Sequence, residues 1–384
     1  MKRILSLYII REIASLFLLG LMVFTLILLM GRMIKLTDLV ISRGVPLADV
    51  SRMVLYLMPS FLVFTIPMAF LLAVLMAFGR LSADNEITVM KSGGISLMQL
   101  MPPVLMCGLV AALLTLAAST VGVPWGNNAF KSLSVAVLKQ NVAATIREKV
   151  FWDDIPGIVM YTEHFDEARH ALKGVIIQDS RDPSRPLTIF AADGVIGGAS
   201  AQRDMRLVLT NGSIHIAGKS GEYRLIHFGE YIMTIGGASQ GAALATNELD
   251  MTVAGLLRQI NNPATTKPAR LKMQSELHSR FAVPFASLVF AVLAVPLGMQ
   301  NHRSGKSAGF ATSIGILLTY YIVQSFLRAL AEKGTLPPAL ALWLPNMIFL
   351  GLGWYLLRLA SLERGILPAG VLNVIYRIRK VSRT

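Results

Sequence analysis

Six long stretches of this 384-residue chain contain no Asp, Glu, Lys or Arg, and they constrain its fold more than any other feature. The shortest has 19 residues, and a helix of about 20 apolar residues crosses the hydrocarbon core of a bilayer. With 54% hydrophobic residues, the chain is predicted to be a membrane protein with six transmembrane helices. The stretches are residues 13–31, 54–79, 92–130, 281–302, 307–327 and 334–357, and the third, longer than one span, is expected to place its helix near 102–121.

Residues 124–280 interrupt the spans and follow a different pattern. Short runs rich in β-branched residues are separated by turn signals, which predicts antiparallel strands in a sandwich or jelly roll. Asn211-Gly212, between residues 205–210 and 213–217, predicts a two-residue hairpin. The flanks are expected to be helical at 127–149, with amphipathic connectors at 252–260 and 268–280.

This organisation predicts three parts. Residues 1–123 hold the first three spans and a cytoplasmic helix near 82–94, residues 124–280 form the inserted domain, and residues 281–384 hold the last three spans and a basic tail. With the N-terminus inside, 13 Lys and Arg fall in cytoplasmic segments and six in the short outer segments. This bias predicts that both termini are cytoplasmic and that the inserted domain lies outside.

Several classes of function are disfavoured by the residues. The segment 303–307 resembles part of a phosphate-binding loop, but Gln300 stands where that motif needs glycine and a span precedes it. The chain has no His-Glu-x-x-His and no Gly-x-Ser-x-Gly motif, and its single cysteine, Cys107, lies in a span. The sequence therefore predicts no catalytic residue, no metal site and no cofactor. The net charge of +14 is explained in part by topology, and the basic tail is expected to meet anionic lipid headgroups rather than nucleic acid.

Three basic residues at the predicted outer ends of spans are candidates for binding an anionic substrate. Arg32 and Lys35 are three residues apart, so they project from one face of the first span. Arg328 stands at a comparable depth at the end of the fifth span. The pair at 32 and 35 has two interpretations: the side chains reach out to the lipid headgroups, as interfacial Arg and Lys usually do, or they face a cavity and hold anionic groups of a substrate.

The cytoplasmic segment 79–94 predicts a short helix between the second and third spans. Ser82 is expected to cap it, with Asp84 and Asn85 in its first turn and Gly93-Gly94 at its end. This helix is either a connector or a docking element for a cytoplasmic partner. In the second case Asp84 and Glu86 are the residues offered to basic groups of that partner.

Several of these segments together resemble the LptF/LptG family of lipopolysaccharide-export permeases, and the resemblance covers essentially the whole chain. The most specific segment is 85–96, which reads Asn-Glu-Ile-Thr-Val-Met-Lys-Ser-Gly-Gly-Ile-Ser. Further likeness lies at 275–284 before the fourth span and at 294–298 near its end. Residues 324–328, followed by Lys333-Gly334, are more similar to the LptF branch than to LptG.

The resemblance implies a fold and a role. The fold is a membrane α-helical bundle of six transmembrane helices with an inserted all-β periplasmic jelly-roll domain, in the inner membrane of a Gram-negative bacterium. Members pair as LptF with LptG, bind the dimeric cytoplasmic ATPase LptB, and pass lipopolysaccharide to periplasmic LptC and LptA. Glu86 matches the residue that contacts the ATPase, and Arg32, Lys35 and Arg328 match basic positions near the lipid phosphates.

One alternative from another class is a mechanotransmitting membrane subunit of an ABC-type complex, whose outer domain regulates a periplasmic partner without carrying lipid. A second, an integral-membrane hydrolase, would need clustered His, Ser or carboxylate groups near the interface, which the sequence does not present. A lateral opening joining the spans to the outer domain would separate the transporter from the mechanotransmitter.

Overall fold

The computed structural model describes residues 2–43, 46–145, 148–155, 157–166, 171–180, 187–197, 205–217, 223–235, 247–299 and 306–362. Two compact units divide the chain. The described residues of 1–33, 55–127 and 248–384 belong to the first unit, and those of 34–54 and 128–247 belong to the second. The predicted basic tail lies outside the described residues.

Nine α-helices can be followed in the described residues. Helices α4 and α5 are joined by the π-helical turn Ala118–Gly122, and a short 3-10 helix, Glu248–Asp250, precedes α6. The helices are α1 Lys2–Arg43, α2 Leu47–Ala83, α3 Glu86–Ser92, α4 Leu97–Ala117, α5 Val123–Thr145, α6 Val253–Ile260, α7 Lys267–Met299, α8 Lys306–Glu332 and α9 Pro338–Ser361.

Six of these helical stretches are long and apolar enough to cross a membrane, which confirms the predicted number of spans. They are Arg3–Arg32, Leu47–Ala83, Leu97–Ser134, Lys267–Met299, Ala311–Glu332 and Pro338–Ser361. The segment 268–280, expected to be a connector, is instead the first part of α7. Because an α-helix satisfies its own backbone hydrogen bonds, it can continue unbroken beyond the apolar region of the sequence.

The core of the first unit is formed mainly by α2, α4 and α7. Phe70 and Phe78 on α2 and Phe290 on α7 are among its largest fully buried side chains. The α2 and α7 backbones approach closely at Gly298, where an added Cβ would lie 2.9 Å from the Phe78 Cβ. By contrast, α1 and α8 expose most of their apolar windows. Among the described helices, α1 and the stretch beginning with α4 carry the most exposed large apolar side chains, which are available to lipid or to another transmembrane chain.

The inserted domain contains one antiparallel sheet with strand order β1 to β6, so every strand pairs with its neighbours in sequence. The strands are β1 Trp152–Ile155, β2 Ile158–Asp166, β3 Ala171–Asp179, β4 Leu187–Gly197, β5 Met205–Ala217 and β6 Tyr223–Ile235. Six apolar helices with an all-β insertion were predicted, and this fold class is confirmed. Among the described strands the order is that of an up-and-down meander.

A row of residues crosses the sheet from β2 to β6 and bends each strand. It consists of Glu163, Gly174, Ala192, Asn211 and Gly229, whose neighbours on both sides are paired in the ladder. Gly174 and Asn211 have positive φ values of 61° and 53°. Burial alternates along the strands and changes parity at the row, as at Met160, Thr162 and Phe165 of β2. Both halves of each strand thus keep their apolar side chains on the same face.

The predicted hairpin at Asn211-Gly212 is wrong, because both residues lie inside the continuous strand β5. Asn211 adopts the left-handed conformation that a hairpin turn would need, but here it bends the strand. An added Cβ on Gly212 would collide with the Phe190 carbonyl oxygen and the Phe228 ring, so glycine lets three strands approach. An Asn-Gly dipeptide can form a hairpin turn or a bend within a strand. Which one forms depends on whether its flanking residues pair with each other or with other strands.

Candidate functional site

Two arginines and two glutamates connect α7 with α8. The Glu276 carboxylate accepts a bond from Arg280 Nε through Oε1, at 3.1 Å, and one from Arg328 Nη2 through Oε2, at 3.0 Å. Arg328 Nε also donates to Glu332 Oε1 at 2.8 Å. Both helices supply their pair at i,i+4 spacing, so each pair lies on one helix face. We refer to these four residues as the α7–α8 network.

Arg280 fixes the network to the chain that leads into α6. Its Nη1 donates to the Met251 carbonyl oxygen at 2.6 Å, and its Nη2 donates to the carbonyl oxygens of Glu248 and Leu249 at 3.0 and 3.3 Å. These carbonyls belong to a 3-10 helix and the turn after it, where backbone acceptors need partners from outside the element. Arg280 thus satisfies a buried carboxylate and three backbone acceptors together.

The members of the network differ in burial. The side chains of Arg280 and Glu276 are 2% and 6% exposed, whereas those of Arg328 and Glu332 are 31% and 30% exposed. Its charges sum to zero, since two carboxylates face two guanidinium groups. A buried ion pair tolerates desolvation only when each charge keeps a partner. Arg280–Glu276 is therefore the fixed part of the network, and Arg328 and Glu332 are its more accessible members.

A second cluster of polar side chains lies where α1 begins and α2 ends. The Tyr8 hydroxyl donates to the carboxylate of Glu86, at 2.9 Å from Oε2. Arg80 Nη1 donates to Glu12 Oε1 at 2.7 Å, and Arg80 Nε lies 3.5 Å from Asp84 Oδ2. These residues, Tyr8, Glu12, Arg80, Asp84 and Glu86, are called the α1–α3 cluster below. It connects the first turns of α1 with the end of α2 and with α3.

The short helix predicted between the second and third spans exists, but its start differs. α2 continues through Ala83, and α3 begins at Glu86 after Asn85 in the left-handed region at φ 59°. Ser82 does not cap the helix as predicted: its hydroxyl is buried and donates to the Met299 carbonyl oxygen at 2.8 Å. A hydroxyl in the last turn of α2 satisfies a terminal carbonyl of α7 instead. The predicted end at Gly93-Gly94 is confirmed.

The surface of α3 combines a carboxylate with an apolar side chain. Ile87 is buried at 3% exposure and attaches the helix to the core of the first unit. Val89 is 68% exposed. Glu86 is partly exposed. The exposed side of this short helix thus presents an apolar side chain beside a carboxylate.

Arg32 and Lys35 both lie on α1, which is helical through both positions. The Arg32 side chain is exposed. The side chain of Lys35 lies outside what the structure describes. The continuous helix meets the geometric condition for the predicted pairing, since positions three apart share a face.

Comparison with known proteins identifies the family to which the chain belongs. The sequence profile of the family described as "Lipopolysaccharide export system permease LptF/LptG" matches residues 7–359. The chain belongs to this family. The match covers all six apolar helices and the inserted sheet, and it confirms the resemblance found in the sequence.

Individual relatives agree with the family match. The chain is 24% identical over 351 residues to the lipopolysaccharide export system permease protein LptF of Escherichia coli K12, covering 90% of this chain and 92% of that protein. The same values hold for the protein of that description from Shigella flexneri. An uncharacterized protein of Rickettsia prowazekii, RP871, is 21% identical over 356 residues, which is 91% of this chain and 97% of that protein.

The structure brings some of the predicted site residues together and adds others. Asp84 and Glu86 both join the α1–α3 cluster, and Arg328 joins the α7–α8 network. Sequence reasoning assigned no role to Glu276 or Arg280. Their i,i+4 spacing at the start of a span, opposite in sign and matched by Arg328 and Glu332 at the end of another, was the signal that could have found them.

Proposed function

We propose that the chain is a non-catalytic transmembrane permease subunit of an ABC transporter. It would extract lipopolysaccharide from the inner membrane of a Gram-negative bacterium and pass it to a periplasmic β-jelly-roll bridge. Family membership supports lipopolysaccharide export as the system in which it works. ATP hydrolysis would be supplied by a separate cytoplasmic ATPase.

The observation that carries this proposal is the continuity of α1. Tyr8, at its N-terminal end, bonds Glu86 of α3, while Arg32 lies 24 residues further along the same helix. At 1.5 Å per residue this separation is roughly 36 Å, slightly more than the hydrocarbon thickness of about 30 Å. One helix thus connects a candidate contact for an ATPase with a candidate contact for lipid headgroups on the other side of the bilayer.

The partners follow from the family and from the surfaces. The chain would pair with a second permease as LptF with LptG, with LptF its own role, because relatives named LptF match over nine tenths of the chain. Asp84 and Glu86 would contact the dimeric ATPase LptB, and LptC and LptA would receive the lipid. Both termini would be cytoplasmic and the sheet periplasmic, in keeping with the distribution of Lys and Arg.

One face of the inserted sheet contains an open groove that would admit acyl chains. The groove, of about 760 Å³, runs beside the bent row and is lined by Tyr161, Phe190 and Phe228 together with polar side chains such as Glu163 and His227. Phe190 and Ile232 are 42% and 54% exposed on this face, and Ile226, on the opposite face, is 48% exposed. Apolar side chains exposed beside a groove can contact an apolar ligand. Acyl chains in transit would be such a ligand, with the lipid phosphates held by Arg32 and Lys35 before release.

The headgroup contact is tested by reversing charge at Arg32 and Lys35. Arg32→Glu with Lys35→Glu should weaken photocrosslinking of lipopolysaccharide to α1, because carboxylates repel the phosphates. The matched control, Arg43→Glu with Arg52→Glu, changes the total charge equally just beyond the candidate pair. Assembly with the partner permease and the ATPase should persist in both variants.

Unchanged crosslinking in the Arg32/Lys35 variant would remove these residues from the site. A complex that assembles and hydrolyses ATP but never crosslinks lipid, even in the unaltered protein, would favour the mechanotransmitting alternative instead.

A further inference from the structure

Arg328 reaches the Glu276 carboxylate where a substrate anion could bind. We propose that Glu276 competes with the substrate for Arg328: Glu276 binds Arg328 when no lipid is bound, and a phosphate monoester of the lipid takes its place. This inference rests on the proposed function, since it assumes a phosphorylated lipid as substrate. It assigns Glu276 and Gln324 roles as positioning residues that determine specificity.

The geometry makes the exchange possible without leaving an unpaired buried charge. Glu276 uses a different oxygen for each arginine, so loss of Arg328 from Oε2 leaves the bond from Arg280 Nε to Oε1 in place. Arg328 in turn keeps Glu332 through its Nε. Removing one partner of a buried ion pair is costly because the other charge is left uncompensated, and this arrangement avoids that outcome.

The chemistry favours phosphate over other anions. The network is neutral, so a ligand must offer Arg328 more negative charge than the carboxylate that it displaces. A phosphate monoester carries about −1.5 to −2 at neutral pH and accepts parallel bonds from the guanidinium fork. A phosphodiester or a carboxylate carries a single charge and gains nothing by the exchange. The network thus selects lipids with terminal phosphates against ordinary phospholipids.

A buried side-chain amide on the same face of α8 as Arg328 supports the binding of a ligand at this position. Gln324 lies four residues before Arg328 on α8 and is 6% exposed. Neither its Nε2 nor its Oε1 has a hydrogen-bond partner among the described residues. A buried amide without partners is destabilising, and its NH₂ group can donate to a phosphate oxygen. Gln324 would therefore become satisfied only when the anion arrives.

The exchange would release α8 and leave α7 in place. α7 stays attached through the bonds of Arg280 to Glu248, Leu249 and Met251 and through its buried apolar face. α8 exposes most of its apolar window and is joined to α7 near its end by the Arg328–Glu276 bond, while its Leu327 and Ala331 pack with Ala341 of α9. Binding of a phosphate would therefore loosen the end of α8 from α7, while its contact with α9 remains.

The test compares Glu276→Gln with Glu332→Gln in the assembled complex in nanodiscs. The probes are fluorescent lipid A carrying both phosphates and the same lipid after phosphatase treatment. Glu276→Gln should raise the preference for the phosphorylated probe several-fold, because Arg328 is released. Glu332→Gln removes the same charge from Arg328 without releasing it from α7, and should raise the preference less. Equal effects of the two variants, or no effect of Glu276→Gln, would overturn the proposal.

A second variant guards against a folding defect at the buried Glu276. Arg328→Gln removes the exposed member of the pair and should reduce the phosphate preference to the part supplied by Arg32 and Lys35, while the complex still assembles. An unchanged preference would contradict the exchange. If the unaltered complex binds both probes equally, phosphate recognition itself fails, and with it that part of the proposed function; if it prefers phosphate while Glu276→Gln changes nothing, only the exchange fails.

Movement of α8 gives an independent measurement. Spin labels at the exposed positions Lys272 on α7 and Ala329 on α8, with Cys107→Ser, report the distance between the two helices. The phosphorylated probe should lengthen this distance in the unaltered complex, and Glu276→Gln should lengthen it without lipid. The phosphatase-treated probe should leave it unchanged. If the distance between the two labels does not change when the phosphorylated probe binds, the release of α8 from α7 is excluded.

Discussion

The α7–α8 network and the α1–α3 cluster use similar side chains but differ in burial. Arg280 and Glu276 are 2% and 6% exposed, whereas Arg80 and Asp84 are 49% and 55% exposed. They are also far apart: Glu276 lies 23 residues before Met299, the residue bonded by Ser82 beside the cluster, and that is roughly 35 Å of helix. Buried pairs resist exchange, while exposed pairs are screened and change partners at little cost.

This contrast separates two tasks. The α1–α3 cluster, proposed to meet an ATPase, consists of bonds that another protein can replace. The α7–α8 network combines one fixed, buried pair with one partly exposed pair, so Arg328 is its accessible cation for an anionic ligand. Breaking each cluster should therefore have different consequences for stability and for function.

The largest effect is expected from Arg280→Met. The substitution leaves Glu276 buried with less compensation and three carbonyl oxygens without their donor, so stability should fall by about 3–5 kcal/mol. Thermal unfolding of the purified chain in detergent measures it. Arg80→Met, which removes a more exposed arginine from the carboxylates of Glu12 and Asp84, serves as the control and should have a much smaller effect. Similar losses in the two variants would mean that burial does not distinguish the clusters.

The next largest effect on stability is expected at Gly298, where α2 and α7 pack closely. Gly298→Ala would place a Cβ 2.9 Å from the Phe78 Cβ and 3.0 Å from the Leu75 carbonyl oxygen. Separating α2 from α7 to make room should cost about 1–3 kcal/mol. Gly351→Ala on α9, where an added Cβ meets nothing within 4 Å, is the matched control and should be neutral or stabilising. A neutral Gly298→Ala would show that the contact is loose.

The spans could be predicted because membrane crossing depends on local composition, and the short β-branched runs between turn signals predicted the strands. The polar contacts depended on tertiary structure. Ser82 has the sequence of a helix cap, yet it bonds Met299, 217 residues away in sequence. Asn211-Gly212 has the sequence of a turn, yet its flanks pair with β4 and β6 instead of with each other. Likewise, nothing local indicates that Arg328 meets Glu276 rather than water.

Glu86→Arg tests whether the exposed cluster is a partner surface. The chain should lose less than about 1 kcal/mol of stability, because the bond to Tyr8 is partly screened. Co-purification with the ATPase, however, should be lost, since an arginine replaces the carboxylate offered to basic groups. Glu12→Arg, in the same cluster but on α1 rather than α3, is the control and should retain the ATPase. Normal co-purification of the Glu86 variant would refute the assignment of α3 as the coupling helix.

The smallest effect on stability, and the most specific on function, is expected from Tyr8→Phe. Loss of one partly exposed hydroxyl–carboxylate bond should cost about 0.5–1 kcal/mol. Glu86 remains, so the ATPase should still bind. The bond that joins α3 to α1 is gone, and a change of about 1 kcal/mol alters a two-state population roughly fivefold. Lipid released per ATP hydrolysed should therefore fall while ATP hydrolysis continues. Equal losses of hydrolysis and release would instead mean that Tyr8 supports ATPase binding, and that the connection between the cluster and α1 is not what transmits the movement.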